Sequence, residues 1–347
     1  MKLRLITLLV ILALLLTATA CVAPTGDDNS SPTLQLTNAL DLTEEWDKVA
    51  AQGSLVQGCV VVRKEFLQQN PAAVEAFLEE YQASIDYLNT NVADAAQMIV
   101  DNGIFTNANV AKKAIPNCNV TFLDGAEMKS AMQTYLGILQ GINPTAIGGT
   151  LPADDFYYSR TNTHAEGSEK PTINVYTLNG TTGFGMAKLM NDAKGGNTSA
   201  NYQFSVQSDP SLVTGALING TADIAALPTN AASAVYNKTQ GKVCVIAINT
   251  LGCLYLLTNQ NESVDSFADL KGKTVYVPAQ NPTFIFSYLC KQNNLNVGTD
   301  IFIDSTTYAQ PADLRTAVAA GLVDIAVLPE PMVTIAINTV NAQAQQK

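Results

Sequence analysis

Four short polar loops carry the residue types best suited to holding a small molecule. Thr177, Asn179, Gly180, Thr181, Thr182 and Gly183 follow the strand-like pair Val175-Tyr176 and run into helix-like sequence at Phe184. Main-chain N–H groups at such a strand-to-helix turn are unpaired, and the helix dipole there favours negative charge. Glycine lets a ligand approach the main chain closely. Gln280, Asn281 and Thr283 repeat the arrangement after Val275-Tyr276. Thr229 and Asn230, in a Pro-Thr-Asn turn, and Glu330, in a Pro-Glu-Pro turn, supply further polar walls. Glu330 could accept from a cationic or amide-bearing ligand; a surface carboxylate or a closing contact are the alternatives. For each loop residue the competing role is simple N-capping. No Gly-Lys-Ser/Thr follows the glycines, so these loops are neither a P-loop nor a dinucleotide fingerprint.

Catalytic constellations are scarce by comparison. The chain has one histidine, His164, which excludes a Ser-His-Asp triad, a Cys-His pair and a multi-histidine metal site. The carboxylate pairs Asp154-Asp155 and Glu44-Glu45 are sequence neighbours, a pattern of turns and solvated faces. Six cysteines are present (Cys21, Cys59, Cys118, Cys244, Cys253 and Cys290), and none forms a CxxC pair. Cys59, Cys244 and Cys253 lie in apolar, strand-like runs, where cysteine serves as a small buried hydrophobe. No disulfide on which the fold depends is expected, and no catalytic residue, metal or cofactor is assigned.

The elements that must position the loops show an internal repeat. Val175-Tyr176 and the turn ending at Phe184 recur 100 residues later as Val275-Tyr276 and the turn ending at Phe284. Gly220-Thr-Ala-Asp-Ile-Ala-Ala-Leu-Pro228 recurs, displaced by 101, as Gly321-Leu-Val-Asp-Ile-Ala-Val-Leu-Pro329. In each block a strand, a polar turn and a helix alternate, which implies βαβ units and a mainly parallel sheet. Ligands of such sheets sit beyond the carboxyl ends of the strands, where all four loops fall. Two lobes on one plan would face each other through them.

At the N-terminus, Lys2 and Arg4 precede a twelve-residue apolar run, Leu5 to Leu16. A membrane-spanning helix needs about 20 such residues, so residues 1–20 are expected to be a secretory signal peptide. Ala18-Thr19-Ala20-Cys21 resembles a bacterial lipobox, making Cys21 the expected lipidation site and 21–32 a soluble tether. Loss of Lys2 and Arg4 with the signal takes the net charge from −11 to −13. Acidity of that size argues against a nucleic-acid partner. Over 300 remaining residues call for two domains.

These segments resemble a known family. The sequences GTADIAALPTNAAS, ADLKGKTVYVPAQNPTF and DIAVLPEPMVT are similar to the NMT1/THI5-like group of ABC-transporter substrate-binding proteins, which takes nitrate, sulfonates and thiamine precursors. LDLTEEWDKV (41–50), QGCVVVRKEFLQQNPAAVEAFLEEY (57–81), AKKAIPNCNV (111–120) and LPADDFYY (151–158) resemble the C-terminal part of that family, yet they come first here. The order reads as a circular permutation, with 161–170 as the linker joining the ancestral termini.

The resemblance implies an α/β fold, a two-lobed periplasmic-binding-protein-like fold of type II, each lobe a mostly parallel sheet flanked by helices. Lobe two would comprise 33–56 and 264–347; lobe one would comprise 57–160 and 171–263. Leu254–Asn259 and Val56–Val61 would be the crossing strands of the hinge, and Phe66–Asn89 an amphipathic helix with Asn70-Pro71 near its start. Trp46 would lie near the cleft or in the core, with Asn117 a weaker candidate for the site. The implied function is capture of a small-molecule ligand between the lobes by a monomer. The monomer would be anchored outside the cytoplasm through its lipid and would deliver to an ABC permease and ATPase complex. An enzyme of the same fold, acting on a pyrimidine or menaquinone precursor, is the alternative.

Overall fold

A computed structural model describes residues 34–161 and 170–345. The signal peptide, Cys21, the tether, His164 and most of the 161–170 linker lie outside the described residues. In chain order the strands are β1 (Leu36–Asp41), β2 (Gly58–Arg63), β3 (Val120–Leu123), β4 (Thr172–Leu178), β5 (Asn201–Gln207), β6 (Ile224–Pro228) and β7 (Val243–Thr250), then β8 (Leu254–Asn259), β9 (Thr274–Tyr276), β10 (Phe302–Asp304) and β11 (Ile325–Pro329). They form a six-stranded sheet, β3-β7-β2-β6-β4-β5, and a five-stranded sheet, β1-β8-β11-β9-β10.

Local sequence explains the central strands. Every residue of β7 (VCVIAINT) and of β8 (LYLLTN) is buried, as a run of β-branched and apolar residues requires when both faces of a sheet are covered. The internal repeat becomes matched helix–strand units. The helices Pro210–Asn219 and Pro311–Ala319 both open on proline, which lacks only an N–H the first turn cannot use. Asp209 caps the first by accepting from the Ser211 N–H. Gly220 (φ 84°) and Gly321 (φ 71°) then reverse the chain in the left-handed region before β6 and β11. The expected helix over 66–89 is broken at Asn70, giving Lys64–Gln69 and Pro71–Thr90, because the Pro71 ring disfavours helical backbone at Asn70.

Both sheets are mixed. β4, β5 and β6 are mutually parallel, but β2 is antiparallel to both β6 and β7, and β3 to β7. β9, β10 and β11 are parallel, whereas β8 runs antiparallel to β11 and β1. One order therefore underlies both: β5-β4-β6-β2-β7 in the larger sheet and β10-β9-β11-β8-β1 in the smaller, with the fourth strand reversed in each. In the larger sheet β6 reaches β7 through the helix Thr229–Lys238. In the smaller sheet β11 leads into the helix Met332–Ala344, and the strand place corresponding to β7 is filled by β1, from the other end of the chain.

The connections between sheets are not the expected crossing strands. Leu254–Asn259 is β8, inside the smaller sheet, rather than part of lobe one, and most of Val56–Val61 is β2, inside the larger one. The chain crosses through residues 251–253 and through 48–57. A short, mainly apolar run is equally at home in either sheet, so periodicity could not place it.

One hydrophobic cluster joins the two sheets. It runs from Val243 and Ile248 through Tyr135 and Leu136 to Trp46, Phe286 and Val327. Trp46 is fully buried there, 5.8 Å from the Tyr135 ring and 4.9 Å from the Tyr288 ring, with Nε1 donating to Ser54 Oγ at 2.9 Å. It belongs to the core and not to the cleft. No helix among the described residues is long and apolar enough to cross a membrane.

Candidate functional site

The carboxyl ends of β4, β6 and β11 bring loops from both sheets around a cavity of about 330 Å³. Asn179, Gly180, Thr181 and Thr182 line it from the larger sheet, and Asn281 and Glu330 line it from the smaller. Gln57, Phe105, Pro228, Thr250 and Cys253, with Pro311, Pro329, Pro331 and Met332, complete the wall. A volume in this range suits a small organic molecule.

The expected site residues divide by where the fold puts them. Thr177 is wholly buried in β4, behind the loop. Gly183 is a packing residue: a side chain there would collide with the Leu178 carbonyl oxygen and lie 2.9 Å from Ile104 Cγ2. Thr229 is buried with its hydroxyl unpartnered, and its N–H donates to the Gln57 carbonyl at 3.1 Å. Asn230 turns away, Nδ2 donating weakly to the Ala146 carbonyl at 3.4 Å. Gln280 (φ 66°) precedes the first turn of the helix Asn281–Gln292, and Thr283 braces that turn by donating to the Pro278 carbonyl at 2.8 Å. None of these six lines the cavity.

The expected rim of free amides is also shorter than the sequence suggests. Asn179 N–H donates to the Gln207 carbonyl, Gly180 N–H to Ile104 and Gly183 N–H to Gly180, at 2.9, 3.0 and 3.0 Å. Strand pairing and the tight turn consume those donors before a ligand can use them. Among the described residues this leaves Thr181 and Thr182 to present N–H groups from this loop.

Side-chain bonds tie the two halves together around the cavity, with Tyr255 Oη donating to the Asn117 carbonyl at 2.9 Å among them. Thr181 Oγ1 donates to the Glu330 carbonyl oxygen at 2.9 Å, and Tyr135 Oη donates to Asn281 Oδ1 at 2.8 Å. At the outer edge Lys113 Nζ donates to Asn338 Oδ1 at 2.9 Å. The Glu330 side chain, 3% exposed, accepts from Thr334 Oγ1 at 2.9 Å and from Thr334 N–H at 3.2 Å. Burial raises the Glu330 pKa above the ordinary carboxylate value, and these bonds only partly offset the desolvation.

The cysteines of this region are free thiols. Cys59, Cys118, Cys244, Cys253 and Cys290 are all buried and unpaired to one another. Burial pushes Cys253 up to about 12 and Cys118 well above its usual value. A thiol so protonated is a poor nucleophile. No group of three or more metal-ligating side chains is present among the described residues.

Gln57, Phe105, Thr250 and Cys253 were not legible as site residues. Gln57 and Cys253 lie in the two crossings, where Gln57 Oε1 accepts from Cys253 N–H at 2.7 Å. Glutamine in a short connection carries no motif, and the only signal available was its position between two apolar runs.

Two mixed sheets flanked by helices, with loops from both meeting over a cavity, define a two-lobed periplasmic-binding-protein-like fold. Residues 196–346 match the family described as ABC transporter, phosphonate, periplasmic substrate-binding protein. That stretch thus has the sequence pattern of an ABC-transporter substrate-binding protein. Among solved structures, an ABC transporter protein from Parabacteroides distasonis is 25% identical, covering 49% of this chain and 56% of its own, with a TM-score of 0.34. The periplasmic aliphatic sulphonate binding protein SsuA from Escherichia coli is 19% identical, covering 52% and 58%, with a TM-score of 0.37. The alkanesulfonate-binding protein SsuA from Xanthomonas axonopodis pv. citri, bound to MOPS, is 17% identical, covering 48% and 56%, with a TM-score of 0.32. The matched region spans less than two thirds of each of these chains. No curated protein matches.

Proposed function

We propose that this chain is an extracytoplasmic solute-binding protein that captures a small ligand between its lobes and delivers it to an ABC importer. The observation that carries this reading is the cavity lined from both sheets at the carboxyl ends of their strands. A ligand touching both walls stabilises only the closed arrangement, so its differential contacts shift the lobe equilibrium, and the importer reads the closed shape. The family match over 196–346 supports the transport role. The lipobox-like Ala18-Thr19-Ala20-Cys21 supports a membrane anchor. Two or more acyl chains, at about 0.8 kcal/mol per buried CH₂, hold such a protein on a membrane surface.

The test is native mass spectrometry of protein purified under mild conditions, followed by a thermal-shift screen of small solutes. A co-purifying small molecule that is released unchanged, or a solute that raises Tm, is expected. A ligand at 100 times its Kd adds about 2.7 kcal/mol. Chemical conversion of the bound compound on prolonged incubation would instead support an enzyme of the same fold.

The chain order fits a circular permutation of this architecture within the NMT1/THI5-like group. What supports it is the shared strand order of the two sheets, in which β1 occupies the place that should follow the helix Met332–Ala344. A rearranged chain beginning at Pro171, with 345 joined to 34 by a short linker and the 162–169 connection cut, should fold to the same far-UV spectrum and Tm. An unfolded product would count against the permutation.

A further inference from the structure

The charge of the cleft narrows the ligand. Among the described residues no Lys, Arg or His contributes to the lining, and its one carboxyl group is Glu330. Glu330 is 3% exposed and its carboxyl accepts from the uncharged Thr334 alone among the described residues, and no ion pair to it is present there.

Helix N-termini at the cleft are the obvious argument for an anion, yet here only part of their donors remain, those of Thr181 and Thr182 among them. The helices that begin at Asn281, Pro311 and Met332 carry proline at or beside their first position (Pro282, Pro311, Pro331), which has no N–H to give. The Glu330 carboxylate already accepts from Thr334 N–H in the first turn of Met332–Ala344. Three amides of the Asn179–Gly183 loop are already bonded, to the Gln207, Ile104 and Gly180 carbonyls. A net charge of −11 adds a long-range field of the same sign. A phosphonate or sulfonate would shed its water beside a buried carboxyl, with no cation to replace it.

We infer that the cleft selects a compact ligand without an anionic group, one that presents a cationic or N–H-bearing nitrogen to the Glu330 carboxyl. Its apolar body meets Phe105, Pro311 and Met332, and free phosphonates and sulfonates are excluded. A protonated amine or amidine supplies the missing counter-charge, and an uncharged amide N–H supplies the donor. This inference rests on the solute-binding reading of the same cavity.

The experiment is calorimetric titration and thermal shift of the full chain, solubilised in detergent, against two sets of probes. Benzylamine, benzamidine and nicotinamide form one set; methylphosphonate and ethanesulfonate form the other. Binding by at least one nitrogen probe and by neither anion is expected, with Glu330→Gln weakening an amine or amidine tenfold or more. Binding of an anion with no response to the nitrogen probes overturns the inference while leaving a solute-binding protein standing. Equal affinity of the wild type and Glu330→Gln for a cationic probe overturns the role of Glu330. Silence from both sets also overturns the inference; the solute-binding reading then stands or falls on whether a small molecule co-purifies. The wild-type comparison of the two sets does not depend on the variant folding.

Discussion

Thr181→Val isolates one of the bonds that link the two lobes around the cavity. Valine keeps the volume of threonine and removes the hydroxyl that donates to the Glu330 carbonyl at 2.9 Å. A net hydrogen bond is worth about 1 kcal/mol, and a buried acceptor left unpaired costs roughly 1–3 kcal/mol. In the open arrangement of the proposed closure, water would reach that carbonyl, so the penalty would fall on the closed state alone. A difference of about 1–2 kcal/mol raises the open-to-closed ratio roughly 5- to 30-fold.

The assay is a pulsed electron-spin distance measurement between labels at Asp94→Cys and Asp313→Cys on a Cys21→Ser background. Both sites are exposed, one on the helix that leads to Phe105 and one on the helix that begins at Pro311. The five native thiols of the described chain are buried and held protonated, so they stay unlabelled. The long-distance population should grow in Thr181→Val and remain at the wild-type level in Thr181→Ser. An unchanged distribution in the valine variant, or the same growth in serine and valine, would refute the latch.

Two further outcomes follow from the geometry. Gly183→Ala should lower Tm by several degrees, because its Cβ overlaps the Leu178 carbonyl and crowds Ile104; overpacking of this kind costs roughly 1–3 kcal/mol, and a Tm within one degree of wild type would show that the turn is slack. Asp304→Asn tests the loop that delivers Pro311. The Thr307 hydroxyl, with the Thr306 and Thr307 amides, holds Asp304 down to about 2 from its usual 3.8. A depressed carboxylate contributes stability above its unfolded value that is lost as pH falls through the folded one. After discounting for solvent screening, the substitution should cost about 1 kcal/mol at neutral pH. The difference from wild type should shrink between pH 4 and 2, and a constant difference across that range would contradict the assignment.

The repeat was legible because its punctuation is physical. Glycine ends a helix in the left-handed region, a short apolar strand follows, and proline opens the next turn; Gly220 to Pro228 and Gly321 to Pro329 do this in register. From that alone the positions of Asn179–Thr182, Asn281 and Glu330 at strand ends could be read. What could not be read was which loop amides the fold would use for itself. The Asn179 and Gly180 donors go to Gln207 and Ile104, residues 28 and 76 positions away, contacts that no local pattern encodes. The place of β8 was hidden for a related reason: LYLLTN is buried throughout and opens on four largely apolar residues, so its neighbours, not its sequence, decide which sheet it joins.

The lone indole sits in an unusual optical position. Trp46 is wedged between two phenol rings on helices that belong to different lobes, Tyr135 from Gly125–Ile142 and Tyr288 from Asn281–Gln292. Any swing of one half against the other must alter that stack, and with it the wavelength and yield of ultraviolet emission. On the proposed closure, the indole is a dye-free gauge of it, readable in real time and without labelling.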